Sequence, residues 1–215
     1  MEANALLHAL LSTQTPVLPL PGLARVYLSL GWGLVLAWLA IWRLQRGGAA
    51  NARLQFWLPL GLLLWCLLPG PVSPTYWLGL AFRAPSLLLT LLCATALLRH
   101  YRPQAAWPNP FEALRSWALV PVLLGWVLLL DTFAVWPVSL YALGFAPLAL
   151  GLLVPLGLSP WLLRGSWALP ALVTAALALF VSVRLPSGNV WDALLDPWLW
   201  LFLHADWLRR LLRVR

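Results

Sequence analysis

Long apolar runs with almost no charge inside them constrain this chain more than any motif does. Of its 215 residues, 62% are hydrophobic and only 9% carry charge. A soluble domain is about one quarter charged, because a fold in water needs a charged skin. This chain has too few charges to make one. Disorder is excluded on the same ground, since disordered chains are poor in apolar residues. The solvent for most of its surface is therefore expected to be lipid. Blocks such as Leu62-Leu63-Leu64 and Leu87-Leu88-Leu89 lack the alternation of a transmembrane barrel, so the spans are expected to be helices.

A spanning helix takes about 20 apolar residues. The expected fold is all-α: a single integral-membrane helical domain over residues 1–215, a polytopic bundle of about seven spans. The spans are predicted at about 24–42, 54–69, 76–98, 117–133, 138–158, 166–184 and 190–208. Residues 1–22 form a short outer-face segment. Within it, 4–12 suits an interfacial helix, and Pro16, Pro19 and Pro21 end it. The segment is not a standard secretory signal, because Glu2 is the only early charge and Arg25 the first basic residue. Pro121 and Pro170 fall in first turns. Pro147 and Pro155 predict a kinked or broken fifth span. The seventh span is the weakest, being interrupted by Asp192, Asp196, Pro197 and His204; short of crossing, it would be a half-span or an interfacial helix.

Charge sets the orientation. There are 14 basic residues, all Arg, against 6 acidic, a net charge of +8. Arg43, Arg46 and Arg53 share one connection, Arg99, Arg102 and Arg115 another, and Arg164 a third. Arg209, Arg210, Arg213 and Arg215 lie in the basic tail 209–215. With seven spans, these alternate connections all fall on one face, which the positive-inside rule makes cytoplasmic. The N-terminus is then outside and the C-terminus inside. Arg25 and Arg184 remain outside, with Glu2, Asp131, Asp192 and Asp196 in the outer half. Glu112 and Asp206 lie inside. The inner arginines are expected to meet anionic lipids, with the tail as an amphipathic inner-leaflet helix. No nucleic-acid partner is expected.

The 16 tryptophans concentrate at predicted span ends, among them Trp42, Trp57, Trp77, Trp117, Trp136, Trp161, Trp167, Trp191 and Trp207. They suit an aromatic belt. Mid-span Trp65 and Trp126 are the ones that a Trp-lined cavity would use. Cys66 and Cys93 read as small packing residues. Small residues four apart form seams that let helices approach closely: Ser29, Gly33 and Ala37; Ser86, Thr90 and Ala94; Ala171 and Ala175; Thr174, Ala178 and Ser182. The Pro108-Asn109-Pro110 turn precedes a stretch suited to a helix along the inner leaflet.

Arg83 is the arginine that topology does not explain. An Arg within a span costs about 2.5–3.5 kcal/mol on insertion scales, so it needs a partner or a cavity. At seven residues past Tyr76 it lies roughly 10 Å below the outer end. One reading is a structural ion pair with Asp131. A second is an outward-facing site for an anionic headgroup, phosphate or carboxylate, and a third is outward snorkelling of the side chain. Asp192 and Asp196 are four apart and would share a helix face, with His204 eight residues further along it. Two carboxylates and a His suit proton movement. The order Asp196-Pro197 suits an N-cap instead, and Asp192 a cap at the Gly188-Asn189 turn. His204 and His100 are the pair that would bracket a haem, but interfacial His residues are common. No cofactor and no metal are expected. There is no GxSxG, Walker A, HExxH or CxxC motif.

These features lead first to a non-catalytic integral-membrane subunit of a bacterial cytoplasmic membrane, scaffolding or anchoring an envelope complex with other membrane subunits. The alternative is a small transporter or flippase for a lipid-linked or anionic substrate, using Arg83. A second alternative is a membrane enzyme acting on a lipid. The candidate polar cluster is Arg83, Asp131, Asp192 and Asp196, with His204 beside it.

Overall fold

A computed structural model of the chain describes residues 4, 8, 11–13, 16–48, 51–104, 108–135, 137–164 and 167–213. Most of the expected helix over 4–12 lies outside the described residues, as do Glu2, Trp136, Arg215 and the side chains of Trp161, Arg164 and Arg213. Among the described residues the chain is all-α, 76% helical, with ten α-helices and no strand. They are α1 (Pro21–Arg46), α2 (Ala52–Cys66), α3 (Pro74–Phe82), α4 (Leu87–Tyr101), α5 (Pro110–Arg115), α6 (Leu119–Asp131), α7 (Pro147–Arg164), α8 (Ala168–Val183), α9 (Val190–Leu194) and α10 (Pro197–Arg213).

The starts are written in the sequence. α1, α3, α5, α7 and α10 each begin on a proline, whose missing N–H and fixed φ suit the first helical position. Asn51, Ser73, Ser86, Asn109 and Asn189 cap α2, α3, α4, α5 and α9 through their side-chain oxygens. Among the described residues, only α1, with 26 residues, is both long and apolar enough to cross a membrane unaided. The shorter apolar helices are α2, α4, α6, α8 and the Pro147–Ser159 part of α7.

α1 is the spine. Gly33 lets α2 approach, since a Cβ there would lie 3.0 Å from Leu63 Cδ2. Ala37 and Ile41 are fully buried and cluster with Leu97 of α4. Gly31 meets the start of the same helix, where its Cβ would lie 2.8 Å from Pro85 Cγ. α1 and α4 therefore run in the same direction. α7 and α8 form an antiparallel hairpin, with Gly157 facing Val173 and Leu153 clustering with Leu177 and Phe180. α10 packs on α5 and α6, and the largest core cluster joins Leu92, Phe111, Leu114, Leu199 and Leu203. The Gly33–Ala37 seam is thus used inside the chain, and Ser86 and Thr90 are buried too. Ala171, Thr174, Ala178 and Ser182 are exposed along α8. Cys66 and Cys93 are free and buried, as packing residues are.

Several boundaries differ from the sequence expectation. The segment 76–98 is not one helix: the chain leaves α3 at Arg83 (φ 60°, ψ −152°) and re-enters helix at Leu87. Pro85 removes a backbone donor there, and a positive φ cannot continue a helix. The fifth helix starts only at Pro147, residues 138–146 being turns and a short 3-10 segment, and Pro155 is accommodated within α7. The seventh segment divides at Leu195-Asp196 into α9 and α10. α5 buries one face against the bundle: Phe111 and Leu114 are buried and Phe111 stacks on Trp38, ring centroids 5.8 Å apart.

Candidate functional site

The break between α3 and α4 exposes backbone groups that a helix would have paired. Side chains from distant parts of the chain meet them. Trp32 Nε1 donates to the Arg83 carbonyl at 2.7 Å, and Tyr27 Oη to the Pro85 carbonyl at 2.8 Å. The Ser86 N–H donates to Asp196 Oδ2 at 2.6 Å, while the Ser86 hydroxyl accepts from the Leu89 N–H. Non-helical backbone inside an apolar protein is stable only with such partners.

Asp196 has a second role. Its Oδ1 accepts from the Leu199 N–H at 2.7 Å, so it caps α10 as the Asp-Pro order predicts. One buried carboxylate thus joins the starts of α4 and α10. Both helix N-termini present partial positive charge to it.

A second polar knot lies beside the first. Asp131, at the end of α6, accepts from the Leu140 and Tyr141 N–H groups and from the Ser139 hydroxyl. This folds the 132–146 connection back on itself. The buried Asn189 donates to the Tyr141 carbonyl at 2.9 Å and accepts from the Trp191 N–H. Trp191 Nε1 donates to the Leu140 carbonyl at 3.0 Å. Gly144 sits against the Asn189 amide and the Trp191 ring, where no side chain would fit. Tyr141 Oη then donates to Asp192 Oδ2 at 2.8 Å, and the Ser187 hydroxyl donates to the same oxygen. Burial and the neighbouring Asp192 carboxylate push the Tyr141 phenol well above its ordinary value, so it remains a donor.

Between the two knots is a cavity of about 240 Å³, lined by Arg83, Tyr141, Ser187, Asp192, Leu195 and Asp196 among others. Arg83 is exposed to it and, among the described residues, has no carboxylate within ion-pair distance. A larger apolar cleft of about 420 Å³ lies between α6 and α7. Trp117 and Leu124 line one side, Leu152 and Leu156 the other, and Leu11 also lines it. Leu195 borders both spaces.

The structure therefore brings Arg83, Asp192 and Asp196 to one cavity and ties Asp131 to it through Tyr141. It does not pair Arg83 with Asp131, whose oxygens are taken by its own following loop. Asp192 and Asp196 do not share a helix face, because the helix stops between them. Asn189 rather than Asp192 caps the turn after Gly188. His204 lies elsewhere, on α10 among Trp126, Trp200 and Trp207, with ring centroids 5.9, 5.5 and 6.1 Å away. His100 pairs instead with Gln45, at 3.1 Å. No cluster of three metal-binding groups occurs among the described residues. Of the mid-span tryptophans, Trp126 packs on Trp200 and Trp65 donates to the Val72 carbonyl. Neither lines the cavity or the cleft.

Sequence reasoning did not identify Tyr141, Ser187, Asn189, Trp32 or Tyr27 as part of this region. The available signal for Asn189 was its place before an apolar turn, which suits a cap. Comparison with protein-family models, curated proteins and solved structures finds no match to this chain.

Proposed function

We propose that the chain is a multi-pass protein of a bacterial cytoplasmic membrane that handles an amphiphile from the outer leaflet. The phosphate of the headgroup enters the polar cavity at Arg83, and an acyl chain occupies the cleft between α6 and α7. This is the small-transporter or flippase reading for a lipid-linked or anionic substrate. The observation that carries it is Arg83 itself: a cation without a carboxylate partner among the described residues, at a helix break, in a cavity that shares a wall with an apolar cleft. Discontinuous helices near a site are a recurring feature of transporters.

The membrane reading rests on surface chemistry. Large apolar side chains are exposed on many helices, including Val26, Leu39, Trp57, Leu80, Leu123, Leu152 and Val181. So many exposed large apolar side chains suit lipid better than water. Seven segments serve as crossings in this reading: α1, α2, α4, α6, α7, α8 and α10. The parallel pair α1 and α4 and the antiparallel pair α7 and α8 agree with alternating directions. With 15 residues, α2 and α4 each reach about 22 Å, so the bilayer thins or the flanking short helices complete the depth. α10 is amphipathic, as a helix ending at an Arg-rich, anionic-lipid surface would be.

Reconstitution into vesicles tests the function. The protein should accelerate exchange of a phospholipid labelled on one acyl chain between leaflets, and Arg83→Gln should return the rate to that of protein-free vesicles. An unchanged rate in the folded variant rejects the reading.

A second reading, a non-catalytic subunit of a larger envelope complex, is favoured by one observation. The Ala171, Thr174, Ala178 and Ser182 stripe on α8 is exposed, and such a stripe suits close packing of another helix. A monodisperse monomer without co-purifying protein would reject it. The enzyme reading has no comparable support, because Asp196 engages both its oxygens with backbone amides and His204 lies among tryptophans.

A further inference from the structure

Among the described residues, the polar cavity holds two groups of opposite sign that have no ion-pair partner. Asp196 is answered by two backbone amides at helix starts. Asp192 accepts two hydroxyl donors, from Tyr141 and Ser187, and both reach the same oxygen, Oδ2. Among the described residues, Asp192 Oδ1 receives no hydrogen bond, and Asp192 is only partly buried on the cavity wall. Arg83 lines the same cavity but is not within 4 Å of this carboxylate. An anion acceptor and a cation acceptor thus face one small space and do not neutralise each other.

We infer that the amphiphile is a zwitterionic diacyl phospholipid with a primary-amine headgroup. Its phosphate pairs with the Arg83 guanidinium, which is built for two parallel hydrogen bonds to a phosphate. Its ammonium donates to Asp192 Oδ1. The acyl chain leaves past Leu195, the residue common to both spaces, into the cleft between α6 and α7. This inference rests on the lipid-handling reading above and adds the identity of the headgroup. Charge complementarity selects it. A purely anionic head leaves Asp192 unmatched and close to a second negative charge. A quaternary ammonium matches the charge but has no N–H to give to Oδ1.

The test uses the full-length protein in detergent and native mass spectrometry. The probes share acyl chains: phosphatidylethanolamine, its N-methyl and N,N-dimethyl forms, phosphatidylcholine and phosphatidylglycerol. Phosphatidylethanolamine should bind about ten-fold tighter than phosphatidylcholine, the size of one charge-assisted hydrogen bond, with the methylated forms between them and phosphatidylglycerol also weaker. Asp192→Asn should erase the gap between phosphatidylethanolamine and phosphatidylcholine while phospholipid still binds. The methylation series on the unaltered protein decides the matter even if that variant does not fold. Equal binding of phosphatidylethanolamine and phosphatidylcholine overturns the headgroup assignment alone. Undiminished phospholipid binding by folded Arg83→Gln, or no phospholipid binding at all, overturns the underlying reading and the assignment with it. Soluble phosphoethanolamine that displaces the lipid at equal concentration overturns the underlying lipid reading, because the cleft would then contribute nothing.

Discussion

The two ends of the bundle hold their charges in different ways. At the end where α4 and α10 begin, the carboxylates of Asp131, Asp192 and Asp196 are folded into the backbone and hydroxyl network of three connections. At the opposite end, Arg43, Arg46, Arg53, Arg99, Arg102, Arg209 and Arg210 are exposed. The ion pairs there are Arg115 and Arg210 with Asp206, at 3.2 and 3.0 Å. The first kind of charge determines which backbone conformation is stable. The second kind marks a face and is screened by whatever lies outside it. Removing a carboxylate should therefore cost far more at the first end than at the second.

The largest effect is expected for Asp196→Ala. The Ser86 and Leu199 amides lose their acceptor, and Asp196 is only 8% exposed, so solvent cannot replace it. Two charge-assisted hydrogen bonds and the stranded donors together amount to about 3 kcal/mol. The variant should show the greatest fall in thermal unfolding midpoint in detergent. A change of under a degree would mean that the α3–α4 break does not depend on Asp196.

Gly144→Ala follows, at about 2 kcal/mol. The new methyl group would occupy the space of the buried Asn189 amide, which holds both the Tyr141 carbonyl and the Trp191 amide. The same melting experiment reads it. Gly22→Ala is the control, because nothing lies within 4 Å of a Cβ there. Tyr141→Phe is smaller, at about 1 kcal/mol, because Asp192 keeps the Ser187 donor. If that variant melted with Asp196→Ala, the two knots would be one cooperative unit rather than two.

The contrast between the ends also explains what was legible in the sequence. Helix interiors follow from local apolar runs, so α1, α6 and α8 lie within or close to the predicted spans 24–42, 117–133 and 166–184. Proline positions and the Asp196 cap are equally local. The α3–α4 break was hidden because Arg83 and Pro85 sit in a run that is otherwise apolar on both sides. What makes the break stable is Trp32, Tyr27 and Asp196, which are 51, 58 and 110 residues from the groups they meet. No local pattern reports such pairings. The cavity was half legible. Arg83, Asp192 and Asp196 stand out as charges in apolar sequence, whereas Tyr141 lies where a helix was expected and its role depends on the 132–146 turn around Asp131.

The smallest effect tests the other side of the contrast. Asp206→Asn removes the two ion pairs found among the described residues of the arginine end. Arg210 is four residues along the same helix and its side chain is 53% exposed, while Arg115 is 28% exposed. Pairs of this kind contribute less than about 1 kcal/mol, because water and salt already stabilise the separated charges. The loss should shrink further at high salt, where screening reaches only a few ångströms. Asp196→Ala should keep its full effect under the same salt, since its partners are buried amides. A salt-insensitive loss at Asp206 as large as that at Asp196 would show that the arginine end is also built around a fixed carboxylate. The distinction between an architectural end and an orienting end would then fail.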